Sequence, residues 1–315
     1  MTTNKELTNH ELSENKINDN ERSLKISKLK IIYLWFPIWR MMTKAKKISK
    51  KNYKTPGFYS EEYAYNFAKK SANRILKASN INITVEGYEN WLDRGVILAA
   101  NHQSNFDPTI LFALNNFYLN QPMAFIAKKE LWNDKKLGRF VRIIDCIPLD
   151  RESPRNALEA FKEAKELVVD YKRSLVIFPE GTRSKSQEIK DFHPAALKIA
   201  QMANAPVIPV TIINAYQIFK KDRPKKVEVK VIFGKPIMPS KHISLKTEDL
   251  SNNVRKVISE NMEKYKDKDL IWDYKTINKI NPKNEEEIRE SIKKKTNPSP
   301  KKQKKKLKDI FNVVD

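Results

Sequence analysis

The 315-residue sequence predicts an α/β fold, in which helices flank a mixed, largely parallel sheet. Two observations support this prediction. Short apolar runs that are typical of buried strands alternate with amphipathic stretches that are typical of helices. Polar segments follow two of the apolar runs directly, and open α/β sheets bind ligands at the carboxyl ends of their strands. We therefore expect an active site along one edge of the sheet.

The N-terminal part of the chain divides into two segments. Residues 1–28 are polar and are predicted to form a disordered extension. Residues 29–79 are predicted to form two amphipathic helices that associate with a membrane. The first helix carries the aromatic run 31–39, where Pro37 is expected to kink or end it, followed by seven basic residues and no acidic residue in 40–54. Aromatic rings beside basic side chains suit the headgroup level of a bilayer. A soluble helix that packs on the main domain remains the alternative.

The third segment, residues 80–266, has the element order of an α/β domain. Its predicted strands are 81–87, 96–100, 123–127, 143–149, 174–178, 206–213 and 227–233. Its predicted helices are 109–118, 154–171, 194–202 and 248–265, and residues 59–77 form the second helix of the preceding segment. Asp107 is expected to cap the helix after the second strand, with Pro108 at its first position.

Two polar loops contain the residues that suggest catalysis. In the first loop, His102 is followed five positions later by Asp107, and a carboxylate that orients an imidazole makes a general base. The second loop, residues 178–184, contains Glu180 and Arg183. Taken alone, the first pair could be a loop histidine beside a capping aspartate, and Glu180 could simply pair with Arg183.

Together the two loops resemble the glycerolipid acyltransferase family, whose best-known members are 1-acylglycerol-3-phosphate acyltransferases. The resemblance spans residues 81–239 and consists of ITVEG at 83–87, NHQSNFD at 101–107, KKEL at 128–131, Gly138, IPLDR at 147–151, FPEGTRS at 178–184 and VIPV at 207–210. It implies that His102 is the general base and that Asp107 orients it. It implies an acceptor-binding set made of Glu180, Gly181, Thr182, Arg183, Arg151 and Lys128. Backbone amides near Gly181 are candidate donors to an oxyanion.

The resemblance implies transfer of a fatty acyl group to the sn-2 hydroxyl of 1-acylglycerol-3-phosphate (lysophosphatidate), which gives phosphatidate. The co-substrate is an acyl thioester of coenzyme A or of acyl carrier protein, and no bound cofactor is expected. No metal site is expected either, because one cysteine and scattered histidines cannot build a zinc site. Asp145 and the segment 134–136 depart from the family pattern, so another acceptor, glycerol-3-phosphate or a different lysophospholipid, stays open. A non-catalytic basic protein that binds membranes or nucleic acid is the alternative from another class.

The charge of the chain points to anionic partners, because its formal net charge is +23. The last segment, residues 267–315, is rich in lysine and predicted to be mostly disordered, and a solvated tail is the favoured interpretation. We expect a membrane phospholipid surface, lysophosphatidate and the thioester donor as partners, and no specific nucleic acid. With the single cysteine Cys146 and no secretory signal pattern, the predicted location is the cytoplasmic face of the cell membrane, as a peripheral or monotopic protein.

Overall fold

The computed structural model describes residues 28–115, 122–135, 137–150 and 153–265. The predicted disorder of the N-terminal extension before residue 28 and of the Lys-rich tail lies outside these residues. Arg151 and Lys136 also lie outside them, as does the end of the helix predicted for 109–118.

Seven strands form one sheet in the part of the chain that the structure describes. They are β1 Ile81–Glu86, β2 Val96–Ala100, β3 Met123–Lys128, β4 Asp145–Leu149, β5 Ser174–Ile177, β6 Val207–Ile213 and β7 Val227–Phe233. Their spatial order is β1-β7-β6-β2-β5-β3-β4. The strand boundaries differ by no more than two residues from those that the sequence predicts.

Strand direction decides which strand ends can share a site. The five strands β6, β2, β5, β3 and β4 run parallel to one another. The two remaining strands pair in parallel with each other, but β7 runs antiparallel to β6. The predicted α/β fold with a mixed, largely parallel sheet is therefore confirmed. The carboxyl ends of the five parallel strands lie along one edge of the sheet, and those of β1 and β7 lie along the opposite edge.

The central strands are buried on both faces. Every residue of β2, β5 and β6 is buried, which explains why these strands read as continuous apolar runs rather than as alternating ones. On one face of the sheet, a core cluster contains side chains from α5, Pro154–Val169, and from α7, Thr247–Lys264. The edge of this buried sheet carries the loops that are described below.

The remaining helices are short or lie at the N-terminus. They are α1 Lys28–Lys54, α2 Glu61–Ala78, α3 Asp107–Leu114, α4 Gly138–Val141 and α6 Lys198–Met202. The predicted helix 194–202 begins as the 3-10 turn Pro194–Leu197 before it becomes α6. Further 3-10 turns are Tyr88–Asn90, Lys129–Asn133, Ala215–Phe219 and Pro239–Lys241.

Helices α1 and α2 pack against each other through part of their length. Met41, Ala45 and Ile48 of α1 form an apolar cluster with Ala64 and Phe67 of α2. Of the two expected effects of Pro37, an end of the first helix is wrong, because α1 continues through it, and a kink stays a prediction. The carbonyl that loses its helical donor lies in an exposed stretch, where water can take the place of that donor. No helix in the described ranges is both long enough and apolar enough to cross a membrane.

Candidate active site

The polar loop after β2 starts at a residue that fixes where the chain leaves the sheet. The buried side chain of Asn101 donates from Nδ2 to the carbonyl oxygen of Ile212 at 2.9 Å, and its Oδ1 accepts from the backbone N–H of Ile212 at 2.7 Å. A carboxamide can replace one donor and one acceptor of the backbone in this way. The side chain of Asn101 thus continues the pairing of β2 with β6, and His102 follows at the strand end.

Asp107 accepts hydrogen bonds from its own loop. Its Oδ2 lies 2.8 Å from Nδ1 of His102 and also accepts from the backbone N–H groups of Gln103 at 2.6 Å and Ser104 at 2.8 Å. Its Oδ1 accepts from Oγ of Ser104 at 3.1 Å. The expectation that Asp107 caps the helix is wrong, because α3 includes Asp107 and the capping position is Phe106. These donors of the loop hold the carboxylate towards the imidazole.

His102 is fixed in one tautomer and one orientation. A carboxylate can only accept, so the bond to Asp107 requires a proton on Nδ1 and leaves Nε2 as the basic nitrogen. The imidazole stacks on the ring of Phe178, with 4.2 Å between ring centroids. The backbone N–H of Ser184 donates to the carbonyl oxygen of His102 at 2.7 Å. The side chain of His102 is 18% exposed while that of Asp107 is fully buried, so a substrate can reach the imidazole but not the carboxylate.

Glu180 joins the two polar loops through backbone groups. Its Oε1 accepts from the backbone N–H of His102 at 2.6 Å, and its Oε2 accepts from the backbone N–H of Lys190 at 3.0 Å. Burial raises the pKa of the Glu180 carboxyl, and the two N–H donors oppose that effect. The contacts of Glu180 thus join the loop after β2 to the loop after β5, and binding of substrate by Glu180 stays a prediction.

Gly181 occupies a backbone conformation that other residues rarely adopt. Its φ is +68°, and a Cβ added there would lie 2.9 Å from Cδ2 of His193. Its N–H donates to the carbonyl oxygen of Phe178 at 3.0 Å. Of the backbone amides proposed as oxyanion donors, the amide of Gly181 is therefore already paired within the loop. Next to it, Oγ1 of Thr182 accepts from Nζ of Lys190 at 3.2 Å.

Lys128 belongs to a neighbouring part of the same sheet edge. Lys128 is the last residue of β3 and is exposed, and β5 lies between β3 and β2, which carries His102. Nζ of the adjacent Lys129 lies 3.8 Å from Oδ2 of Asp150, at the end of β4. Arg151 follows directly in sequence, outside the described residues. The structure therefore brings the residues of the first and second loops together and leaves Lys128 on the same edge.

A cavity of about 150 Å³ opens beside the two loops, and no local pattern in the sequence predicts it. Of the residues singled out from the sequence as site residues, Arg183 lines it. Its other lining residues include Gln103, Lys185, Tyr216 and Lys220. The position of Gln103 next to His102 was the signal that could have drawn attention to it, whereas nothing local marks Lys220. Within the described residues, no three His, Cys, Asp or Glu side chains are grouped in a way that could hold a metal ion.

Comparisons with known proteins place this arrangement among related sequences. Residues 82–213 match the family model described as acyltransferase. The chain is 30% identical over 253 residues to a probable 1-acyl-sn-glycerol-3-phosphate acyltransferase of Mycoplasma pneumoniae, an alignment that covers 77% of this chain and 94% of that protein. It is also 30% identical over 250 residues to the protein of the same name in Mycoplasma genitalium, with 76% and 91% covered.

One solved structure with the same fold is the crystal structure of the 1-acyl-sn-glycerophosphate (LPA) acyltransferase PlsC from Thermotoga maritima. It superposes with a TM-score of 0.61 at 25% sequence identity and covers 78% of this chain and 97% of that one. The similarity therefore extends over nearly the whole of that protein.

Proposed function

This chain belongs to the acyltransferase family, as its two polar loops predict, and from this premise we propose that it converts 1-acylglycerol-3-phosphate to phosphatidate. The acyl group comes from an acyl thioester of coenzyme A or of acyl carrier protein and goes to the sn-2 hydroxyl. The names of the two Mycoplasma relatives support this acceptor. The observation that carries the proposal is the bond between His102 and the buried Asp107.

His102 acts as the general base in this proposal. A substrate hydroxyl is a weak nucleophile, and Nε2 of His102 removes its proton as the oxygen attacks the thioester carbonyl. Asp107 holds the tautomer and stabilises the imidazolium that forms. The tetrahedral intermediate then expels the thiolate, which takes the proton from Nε2. The products are an ester and a free thiol, and no acyl-enzyme forms because the acceptor itself is the nucleophile.

The basic residues on this edge of the sheet would hold the acceptor phosphate. Arg183 is suited to a bidentate contact with a phosphate, and Lys128 can contribute a point charge. Arg151 would join them in binding the phosphate, and Glu180 with Gly181 and Thr182 would shape the loop that carries Arg183. No bound cofactor is required by this chemistry.

We also propose that the segment 29–79 attaches the acyltransferase domain 80–266 to the cytoplasmic face of a phospholipid membrane. Five large apolar side chains in the first half of α1 are between 42% and 79% exposed, and they are Tyr33, Trp35, Phe36, Ile38 and Trp39. Exposed aromatic rings followed by basic side chains match the headgroup level of an anionic bilayer. Such a location would also bring the site to a substrate that resides in the membrane.

Vesicle binding tests this attachment. Replacing both Trp35 and Trp39 by Ser should weaken co-sedimentation with phosphatidylcholine–phosphatidylglycerol vesicles by about tenfold or more, because each ring loses its apolar burial. The melting temperature should not change, since both rings are exposed. Tyr171→Ser removes another exposed aromatic ring, outside α1, and serves as the control. Equal binding by the double variant and this control would contradict membrane attachment through α1.

Release of free thiol from an acyl thioester tests the reaction itself. Purified protein in detergent or vesicles is given lysophosphatidate, glycerol-3-phosphate or no acceptor, and His102→Ala is assayed in parallel. We expect release that requires lysophosphatidate and is lost in His102→Ala. Dependence on another acceptor would keep the mechanism and change the substrate, whereas equal release by both proteins would remove His102 from the mechanism. A folded, membrane-bound protein without any release would favour the non-catalytic alternative.

A further inference from the structure

The chain between the 3-10 turn Ala215–Phe219 and β7 is strongly basic. Its residues 220–226, KKDRPKK, contain five basic side chains and one acidic side chain. The four lysines among them are exposed, as is Lys77 in the last turn of α2. Positive charges grouped in this way attract an anionic partner. We call the five exposed lysines the basic surface, and they are Lys77, Lys220, Lys221, Lys225 and Lys226.

Hydrogen bonds of Arg223 and Asn80 hold the two parts of the basic surface together. Nη2 of Arg223 donates to the carbonyl oxygen of Ser79 at 2.6 Å, and its Nη1 donates to the carbonyl oxygen of Ile218 at 3.1 Å. Nδ2 of Asn80 donates to the carbonyl oxygen of Lys225 at 3.1 Å. The basic segment is thus joined to the end of α2, and a surface that is already formed loses less entropy when a partner binds.

The basic surface begins beside the candidate active site. β7 runs antiparallel to β6, so the chain that connects them lies on the edge where the parallel strands end. Lys220 lines the same cavity as Gln103, the residue that follows His102. From this cavity the surface extends to the end of α2, where Arg223 is bonded. A partner bound on the basic surface would therefore lie next to the loop that carries His102.

The side chains of the basic surface favour a water-soluble acidic protein over a bilayer. Of the exposed large apolar side chains in the described ranges, none belongs to residues 77–80 or 214–226. Attachment to a bilayer combines aromatic rings with basic side chains, as α1 does. An acidic protein can contact all five lysines at once, because a protein interface covers about 800 Å² on each partner. Lysine is a flexible point charge, which suits a short-lived electrostatic contact.

We propose that the basic surface docks acyl carrier protein, which is the acidic protein among the two donor classes. The inference rests on the proposed function and narrows the donor. The docked protein presents its thioester to the cavity beside His102 and leaves as the free thiol after transfer. Because the carrier must be exchanged in every turnover, we expect docking that is weak, fast and sensitive to salt.

Kinetics with two donors tests the docking surface. Palmitoyl thioesters of acyl carrier protein and of coenzyme A are compared, with lysophosphatidate in detergent micelles as the acceptor. The double charge reversal Lys221→Glu with Lys225→Glu should lower kcat/KM for the carrier-protein thioester about tenfold, mainly through KM. The value for the coenzyme A thioester should stay within about twofold of wild type, because neither lysine lines the cavity.

A matched double variant controls for the change of charge. Lys162→Glu with Lys165→Glu reverses two exposed lysines of α5, a helix that contacts β4 at the far end of the sheet from β1 and β7. This control should use both donors as wild type does. An equal loss with both donors, or an equal loss in the two double variants, would overturn the proposal. Kinetics of the Lys221 and Lys225 reversal that match wild type with the carrier-protein thioester would also overturn it.

The salt dependence of the two donors gives an independent measurement. Raising the salt from about 50 mM to about 300 mM should slow transfer from acyl carrier protein more steeply than transfer from coenzyme A, because salt screens attraction between exposed charges. The double reversal should lose most of that extra dependence. The same salt dependence for both donors in wild type would count against docking on the basic surface.

Equilibrium binding separates failure of this inference from failure of the proposed function. Fluorescence anisotropy measures binding of acyl carrier protein, with a free thiol on its arm, to wild type and both double variants. If wild type binds the carrier but transfers no acyl group, the proposed function fails, and weaker binding by the Lys221 and Lys225 reversal alone still supports the surface. If that reversal binds the carrier as tightly as wild type but loses vesicle binding, the surface belongs to the membrane and the proposal fails.

Discussion

Replacing Asp107 by Asn removes the charge of the proposed catalytic pair while the local geometry is retained. Three donors converge on Oδ2 of Asp107, from His102, Gln103 and Ser104. The carboxamide oxygen of the Asn side chain will therefore take the place of Oδ2. Its NH₂ group will face Oγ of Ser104, which can accept a hydrogen bond. The imidazole keeps the proton on Nδ1, so the substitution changes charge rather than tautomer.

The size of the effect follows from the distance between the two groups. Two unit charges 2.8 Å apart, at an effective dielectric constant of about 20, attract each other by about 6 kcal/mol. This value is a ceiling, because the imidazole gains only part of a full charge in the transition state and is partly exposed. We expect a loss of about 3–4 kcal/mol of transition-state stabilisation, which is a fall in kcat of about 10²–10³-fold.

The assay is thiol release at saturating donor and acceptor. Asp107→Asn should lower kcat and leave the KM for lysophosphatidate unchanged, because Asp107 is fully buried and cannot touch the acceptor. Asp170→Asn makes the same chemical change at the exposed end of α5 and should have no effect. A kcat within about threefold of wild type, or a change confined to KM, would refute the role of Asp107 in steadying the imidazolium.

Three further predictions concern the loop after β5. Glu180→Gln should lower the free energy of unfolding by about 1–3 kcal/mol in urea denaturation, because one carboxamide oxygen cannot serve both the His102 and the Lys190 N–H, whereas the exposed Glu166→Gln should be nearly neutral. Burial raises the pKa of the Glu180 carboxyl, so the folded state holds the proton on Glu180 more tightly than the unfolded chain does. The contribution of this protonated carboxyl to the free energy of unfolding should therefore fall as pH rises from the ordinary carboxyl range through the raised pKa. This fall in the free energy of unfolding with rising pH should be absent from Glu180→Gln. If the variant still shows it, another titrating group is responsible. Gly181→Ala should reduce both stability and activity, because the new Cβ meets the ring of His193 in addition to the strain of about 1–2 kcal/mol from the left-handed backbone. Gly57→Ala isolates the backbone strain, since Gly57 has φ +78° and nothing within 4 Å of its Cβ position; equal thermal shifts for the two variants would show that contact with His193 is unimportant.

The sequence by itself determined the α/β architecture and the proposed catalytic pair. The parallel strands are buried on both faces, so runs such as Val96–Ala100 are apolar throughout and stand out from the polar loops that follow them. His102 and Asp107 are close because five residues at a strand-to-helix turn keep their side chains within reach. Both features depend on residues that are near one another in the chain, and local patterns contain that information.

The tertiary structure alone decided how the loops are joined and where the cavity lies. The bond from His102 to Glu180 spans 78 positions in the sequence, and the bond from Asn101 to Ile212 spans 111. Contacts of this kind require β2 to lie between β5 and β6, an order that no local pattern specifies. The same order places Gln103 and Lys220 around one cavity. Local periodicity reports which face of a strand is buried, but strand order depends on the packing of the whole sheet, and only that packing brings the two polar loops together.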